Sequence, residues 1–525
     1  MSTKFDYVPS ADTRRSGQST LAGMFRASAQ SHTNLDAIVE GDKALTYAEV
    51  DDQSGRLARL LLDEGLETGD RVGILARNCS EYLLLELAAA KCGVIVAALN
   101  WRLSDPELTH CINLVSPKLV LAQQDYVPTL HRLEIEQVPV IELGETFDQR
   151  ISTCHPMPPM PLDSAGGGGE SGESGEGGEA GLVILYTSGT TGMPKGALIS
   201  HRAMIARAAC FVSDLNLPRG SNFVAWAPLF HMASTDHSLA TLLRGGTVFV
   251  VDGYQPEVLM DLIEAHTVGW FVLMPGMVGE FAEFCRARRL KPKGIVACGA
   301  MADLVPREEI AAATTALSTP YVNSFGATET GLPPATASVI DIGEAPERLP
   351  KRQSAFVELR LVDAEDNDVA LGEPGEVALR GPTLFSGYWR AEETNAHDFR
   401  NGWFHMGDVM RRNLDGTLEY VDRVKYMIKS GGENIYPAEI EQVLSLNPDI
   451  SEAVVVRRRD AKWGEVPVAF VVSSRPGLSE EQVIETCRGK LASYKLPKQV
   501  LFIDEGELPR STTGKVQRHE LEKRL

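Results

Sequence analysis

The sequence predicts an α/β protein: a large N-terminal domain of parallel α/β subdomains plus a small β-barrel, and then an α+β domain at the C-terminal end. Three observations predict it. From about residue 44 to 330, short apolar runs alternate with longer segments of helical pattern, the signature of parallel α/β structure. After Gly343 the pattern changes to close-set alternating strands without helices. From about residue 437 onward, helical and strand patterns mix again in a stretch of domain size.

In chain order, the apolar runs RVGILA, KLVLAQ, GLVILYTS, NFVAWAPL, TVFVV, WFVLMP and GIVACG read as buried strands, and PEVLMDLIEAH as a helix between two of them. AFVELRLVD, GEVALRG and TLEYVD read as barrel strands joined by the turns EDND and GEPG. EIEQVLSL, EAVVVRR, PVAFVVS, EEQVIETCRGKLA and QVLFID make the last unit, with a boundary near Arg423–Lys425. The run GGGGESGESGEGGEAG carries four self-repelling glutamates on a glycine-serine chain, so 163–181 reads as a flexible loop.

A chain of 525 residues, 43% of them hydrophobic, exceeds what one core supports. Its formal net charge of -20 argues against nucleic acid as a partner, because phosphate neutralisation needs clustered Lys and Arg. The N-terminal MSTKFDYVPSADTRR lacks the apolar centre of a signal peptide. EYLLLELAAAKCGVIVAALN is interrupted by Glu86 and Lys91, so no membrane span and a cytoplasmic location are expected. Eight cysteines without a C-x-x-C pair or His-rich spacing read as reduced thiols rather than zinc ligands.

The segment YTSGTTGMPKG, 186–196, concentrates hydroxyls, glycines and one lysine directly after a buried strand, where open parallel sheets bind ligands. It is not a Walker loop: Gly189 and Gly192 stand too close, two residues separate Gly192 from Lys195, and Gly196 replaces the closing hydroxyl. It still offers Thr187, Ser188, Thr190 and Thr191 hydroxyls, glycine N–H groups and a mobile cation to a polyphosphate.

This loop resembles the signature loop of the adenylate-forming superfamily, which holds acyl- and aryl-CoA synthetases, peptide-synthetase adenylation domains and beetle luciferases. Five further motifs follow in that family's order: PLFHM, NSFGATE, WFHMGD, DRVKYMIKSGGENIYPAEIE and PRSTTGKVQR. Through them the chain is identified as a member. The resemblance implies a two-step reaction using ATP, Mg2+ and coenzyme A: a carboxylate attacks the α-phosphate to give an acyl-adenylate and pyrophosphate, and a thiol then displaces AMP. It also implies an N-terminal adenylation domain over 1–422 (α/β to about 340, barrel about 343–422), a hinge at 423–426 centred on Lys425, and a mobile C-terminal domain over 427–525.

The site residues follow by motif position. Thr187, Ser188, Gly189, Thr190, Thr191, Gly192 and Lys195 would hold the leaving phosphates, Thr328 the α-phosphate, and Glu329 the magnesium ion. Asn323 would bond the adenine amino group and Phe325 stack on the purine, with Gly299 and Ala300 on the other face. Asp408 would accept the ribose hydroxyls, assisted by Arg423. Lys515 would bridge the carboxylate and α-phosphate during adenylation. His231 would gate the thiol's path, with Gly432 beside its tunnel.

Trp463, Tyr494 and Lys498 resemble positions lining a CoA nucleotide site, which favours free CoA over a carrier protein. Arg457, Arg458 and Arg459 read as a solvated strand end, the other reading being a cationic run that meets the 3′-phosphate of CoA. The acyl pocket is expected around Trp226, Phe230, Met232, Ser234, Leu273, Met274, Met277, Val278, Ala300 and Ser324, suiting a medium-chain, branched, cyclic or aromatic acid. Asp236 and His237 stand where relatives place small or apolar residues; Asp236 reads as part of a helix N-terminal cap, the other reading being a polar recognition group. Two rivals remain: an acyl-AMP ligase that loads a carrier protein, and a catalytically silent nucleotide-binding regulator, which intact Lys515, Glu329, Asp408 and Arg423 oppose. The partner is a small-molecule carboxylic acid; a homo-oligomer is compatible with the sequence.

Overall fold

Helix boundaries follow local capping chemistry. Thr46 and Glu49 close a capping box at the start of Tyr47–Asp63, Ser104 and Glu107 do so before Asp105–Val115, and Ser479 and Gln482 before Glu480–Cys487. The computed structural model describes residues 19–160, 177–187, 193–431, 433–510 and 516–525. They divide into two compact units, one reaching Glu358 and taking in Arg380–His397, the other comprising Leu359–Leu379 and Asp398–Leu525.

In the first unit, a six-stranded sheet runs in the order Val140–Glu142, Leu119–Ala122, Arg71–Leu75, Ile95–Ala98, Gly181–Thr187, Lys195–Ser200. The first five are parallel and the last is antiparallel. A second sheet carries Phe223–Ala225 and Val248–Val250 beside Asp36–Glu40 and Lys43–Thr46; a third carries Val268–Phe271, Ile295–Cys298, Tyr321–Val322 and Val339–Ile340. A parallel bridge from Asn222 to Val268 joins these two. Every apolar run read as a parallel strand is one, and PEVLMDLIEAH is the helix Pro256–Ala265.

The stretch read as too interrupted to span a membrane folds as the buried helix Ser80–Cys92 and the strand Ile95–Ala98. Glu86 and Lys91 are each 1% exposed. Lys91 Nζ donates to the Asp51 carboxylate at 2.7 Å, whereas burial pushes the Glu86 carboxyl well above the usual range. No described helix is long and apolar enough to cross a membrane. All eight cysteine thiols are free.

In the second unit, a four-stranded sheet runs Glu358–Val362, Pro374–Arg380, Phe404–Arg412, Leu418–Arg423. The helix-free reading of the stretch after Gly343 needs correction, because Glu392–Asp398, all but its last residue in the first unit, forms a short helix. It carries no buried residue, so no apolar stripe marked it in the sequence. The C-terminal part pairs Ile450–Asp460 with Gly464–Ser473, adds Gln499–Phe502 in parallel, and packs the helices Pro437–Leu444 and Glu480–Cys487 into one core with them. Asp422 accepts the Ala438 N–H at 2.8 Å, tying the last strand of the first sheet to the helix that opens this part. The end of the Gly/Glu run is folded: Gly177–Glu179 form a helical turn, Gly181 opens a strand, and Glu179 pairs with Arg202.

Candidate active site

Ser188, Gly189, Thr190, Thr191, Gly192, Gly432, Lys515 and residues 161–176 lie outside the described residues. What brackets the phosphate-loop segment is defined. The strands Gly181–Thr187 and Lys195–Ser200 form an antiparallel hairpin in which Thr187 and Lys195 are cross-strand partners. The segment between them leaves the carboxyl end of a strand that is parallel to its other neighbour, as expected for a ligand loop.

The chain at 386–389 runs back along this hairpin: Ser386 N–H donates to Leu198 O, Leu198 N–H to Gly387 O, and Trp389 N–H to Gly196 O, at 2.8, 3.0 and 2.8 Å. That register presents the Tyr388 ring to Lys195, whose Nζ lies 4.6 Å from the ring centroid. The same tyrosine donates its hydroxyl to Glu329 Oε1 at 2.7 Å. One side chain thus gathers the cation expected at the leaving phosphates and the carboxylate expected at the metal.

Thr328 and Glu329 occupy the tip of the hairpin Phe325–Ala327 with Gly331–Ala335. The tip is anchored from three sides. Thr330 Oγ1 accepts from Ala327 N at 3.0 Å, Phe385 N–H donates to Glu329 O at 2.8 Å, and Arg207 Nη2 donates to Thr328 O at 3.0 Å. Gly331, with φ +77, is required here, since a Cβ would meet the Arg207 side chain at 2.9 Å.

Among the described residues no group of three or more His, Cys, Asp or Glu could hold a metal. A single carboxylate still fits magnesium, which is commonly held by one or two carboxylates together with substrate phosphates. Glu329, turned by Tyr388 and partly exposed, is that kind of donor.

Two aromatic donors support the segment expected to form the adenine wall. Trp270 Nε1 donates to Gly299 O at 2.7 Å, and the Tyr321 hydroxyl to Ala300 O at 2.9 Å. Gly299 takes φ +75 and lies so close to the Tyr321 ring that a Cβ would stand 2.0 Å from it. Asn323 is 3% exposed and its Nδ2 donates to Pro350 O at 3.0 Å. A proline carbonyl only accepts, which fixes the amide's orientation and leaves Oδ1 buried with no partner among the described residues. An unpaired buried acceptor is costly, and an exocyclic amine would satisfy it. Phe325 is partly exposed on the same strand segment.

On the acyl side, Trp226, Leu273 and Val278 are buried in one cluster with Met274 and Met277 at its edge, and Trp226 Nε1 donates to Val272 O at 2.9 Å. Phe230 instead meets Trp101 edge-on at 6.5 Å. Ser234 donates to Ala227 O at 2.6 Å, while Ala300 and Ser324 are buried. The cap expected of Asp236 is overturned. The helix is Met232–Leu243, and its N-cap is His231, whose Nδ1 accepts from Ala233 N at 3.2 Å. Asp236 lies in the second turn, buried and paired with Arg207 Nη1 at 3.1 Å. His237, fully buried, is ringed by Phe211, Phe223 and Trp270, and burial drives its imidazole well below the usual range.

In the second unit, Asp408 and Arg423 are cross-strand partners forming a two-pronged pair, Nε to Oδ1 at 2.8 Å and Nη2 to Oδ2 at 3.0 Å. Each carboxylate oxygen keeps a second lone pair, so ribose hydroxyls and the guanidinium can share Asp408. Lys425 and Arg518 both face the Tyr426 ring, with Lys425 Nζ 4.8 Å and Arg518 Cζ 4.9 Å from its centroid. Trp463, 44% exposed, packs against Gly431, whose N–H donates to Trp463 O at 2.8 Å. Tyr494 is 38% exposed on the turn Ser493–Lys495, and Lys498 N–H donates to Pro467 O at 2.8 Å. Arg457 pairs with Glu522 and Arg458 with Gln499, leaving Arg459 exposed.

Sequence reasoning missed Arg207, Trp270, Tyr321 and Tyr388. Each acts on a partner remote in sequence, and only the single tyrosine or arginine letter was there to read.

The pattern of the AMP-binding enzymes matches residues 25–389, and that of the AMP-binding enzyme C-terminal domain matches 439–515. The chain is 32% identical over 498 residues to a feruloyl-CoA synthase of Amycolatopsis sp., covering 93% of this chain and 96% of that one. It is 31% identical to an indoleacetate–CoA ligase of Aromatoleum aromaticum over 91% and 93% of the two chains. A solved o-succinylbenzoate CoA synthetase from Bacillus subtilis, in complex with its acyl-adenylate intermediate, superposes with a TM-score of 0.78 at 25% identity, covering 95% and 97%. This chain belongs to the AMP-binding enzymes, the family of ATP-dependent acid–CoA ligases.

Proposed function

We propose that the protein joins a medium-chain, branched, cyclic or aromatic carboxylic acid to coenzyme A through an acyl-adenylate, releasing pyrophosphate and AMP. The observation that carries this reading is the Lys195–Tyr388–Glu329 cluster, which collects a cation and a hard carboxylate beside a donor-rich loop. Relatives named for feruloyl and indoleacetate substrates, and the Trp226 cluster edged by two methionines, support the aromatic end of that range.

In the first step the acid's carboxylate oxygen attacks the α-phosphorus, and the bond to the β-phosphate oxygen breaks. Lys195 neutralises the departing pyrophosphate and Thr328 donates to the α-phosphate; Lys515 bridges the two reacting groups. Glu329 would hold a magnesium ion together with the nucleotide, and that ion would supply charge neutralisation on the phosphates. Asn323 accepts from the adenine amine and Asp408 from the ribose. In the second step the thiol attacks the adenylate carbonyl and AMP leaves, with residues 427–525 turning about Lys425 to admit the thiol past His231. Trp463, Tyr494 and Lys498 offer exposed rings and a cation to the CoA nucleotide.

The test is incubation with ATP, magnesium and a panel of medium-chain, cyclic and aromatic acids, with and without CoA, reading pyrophosphate, AMP and thioester by mass. Thioester that needs CoA and disappears in Lys515→Ala is the expected result. Pyrophosphate without thioester would transfer the reading to a carrier-protein acceptor, and no turnover on the whole panel would favour a silent nucleotide binder.

A further inference from the structure

The buried Arg207–Asp236 pair has no place in the expected site, yet it reaches the reacting end of the molecule. Arg207, on the helix His201–Leu215, is 1% exposed and uses all three guanidinium nitrogens. Nε donates to Thr383 O at 3.0 Å, Nη1 to Asp236 Oδ2 at 3.1 Å, and Nη2 to Thr328 O at 3.0 Å. These acceptors lie 176, 29 and 121 residues away, on three separate segments. A planar fork with fixed N–H directions can hold three such acceptors in one register, which a single ammonium cannot.

A buried cation on neutral carbonyls is tolerated only with a counter-charge, and Asp236, itself 1% exposed, is that charge. Burial pushes both the Glu86 and the Asp236 carboxyls up, but only Asp236 has the Arg207 guanidinium beside it to oppose that shift. The aliphatic part of Arg207 is also pressed against Gly331, at the other end of the tip that carries Thr328 and Glu329.

We infer that Arg207, neutralised by Asp236, is a positioning residue for adenylation: it clamps the Thr328 carbonyl, and so fixes the hydroxyl of Thr328 at the α-phosphate. The clamp acts on the phosphoryl-transfer step and not on thiol transfer. This inference rests on the adenylation reading above, and the wild-type arm of the test separates the two.

Three proteins are compared: wild type, Arg207→Lys, and the charge-neutral double variant Arg207→Met with Asp236→Leu. Each is assayed in single turnover for pyrophosphate release from ATP and the accepted acid, and separately for thioester formation from chemically prepared acyl-adenylate and CoA. Misplacing a reacting group by about 1 Å costs on the order of 100-fold, so adenylation in the double variant is expected to fall by roughly 30- to 100-fold. KM for ATP and the rate from preformed adenylate should stay within about 3-fold of wild type, because the clamped hydroxyl is asked to stabilise charge that develops on the α-phosphate only in the phosphoryl-transfer transition state. Arg207→Lys, keeping charge but not the fork, should fall between the two. Equal loss in both half-reactions, or no loss in adenylation, overturns the inference. If the double variant does not fold, Arg207→Lys decides by the same ratio. If wild type releases no pyrophosphate with any acid, it is the adenylation reading that fails, and the inference with it.

Discussion

Asn323, in the first unit, and Asp408, in the second, are both buried, and each has a proposed nucleotide contact, but their bonding is set in opposite ways. Asn323 has its amide nitrogen tied to Pro350 O and its oxygen left without a partner. Asp408 has both oxygens on the Arg423 guanidinium. An orphaned acceptor carries its desolvation cost until ligand arrives, so it rewards the right base and penalises its absence. A paired carboxylate is stable without ligand and must share its lone pairs when the ribose binds. The first unit thus keeps an unpaired amide oxygen, and the second a paired carboxylate.

The largest effect that would break this contrast is at Asp408. Asp408→Ala removes the buried carboxylate that pairs with Arg423 and the proposed ribose acceptor together, so kcat/KM for ATP should drop by about 100-fold, with a lower Tm for the second unit. Steady-state kinetics with a thermal melt checks it; a kinetic loss below about 5-fold would show that the ribose does not depend on this carboxylate.

Next comes pH, on which the two units should move in opposite directions. In the first, Leu21 N–H donates to His201 Nδ1 at 3.2 Å, and burial holds that imidazole down at about 4. Below the ordinary histidine value near 6.5 the unfolded chain takes up a proton the folded one refuses, so stability is lost as pH falls from 6.5 toward 4. In the second, burial pushes Asp422 up to about 6, opposed by the Ala438 and Arg423 N–H groups. There the folded chain holds the extra proton, so stability rises as pH falls from 6 toward 4. From pH 7 to 5 these two groups contribute about 2 kcal/mol of loss and about 1 kcal/mol of gain. Amide hydrogen exchange reports each unit separately, and His201→Gln should flatten the response of the first.

A smaller effect tests the orphaned oxygen itself. Asn323→Ala should raise KM for ATP by roughly 10-fold with little change in kcat, and it should narrow the preference for ATP over inosine triphosphate, which lacks the amine. An unchanged preference would remove Asn323 from base reading. The smallest concerns Glu329. Tyr388→Phe keeps the ring beside Lys195 but loses the 2.7 Å bond to Glu329. The magnesium concentration for half-maximal rate, and Mn2+ affinity with ATP by spin resonance, should each shift by about 3-fold with no change in Tm.

Parallel strands such as GLVIL were legible because burial on both faces demands continuous apolar runs, and helices such as Pro256–Ala265 because one face must be apolar. The residues expected at the nucleotide were named by their positions in motifs that resemble those of the adenylate-forming superfamily, with Gly, Thr and Lys at the types of position where backbone and phosphate approach closely. What supports them was not. Arg207 bonds to positions 29, 121 and 176 residues away, and no local pattern reports such a triangle. Asp236 was misread for the same reason: near the start of a helix, capping is the local explanation for an acid, and the real cap, His231 Nδ1, came from a residue read only as a gate. The helix Glu392–Asp398 escaped because it buries nothing.

The measurement that bears most directly on the central claim uses an accepted acid labelled with 18O in its carboxylate, turned over with ATP and CoA and analysed by mass. Attack of that carboxylate on the α-phosphorus followed by thiol displacement leaves one labelled oxygen in AMP and none in pyrophosphate, and this is the result the account predicts. Label in inorganic phosphate together with ADP, or thioester formed with unlabelled AMP, would contradict it.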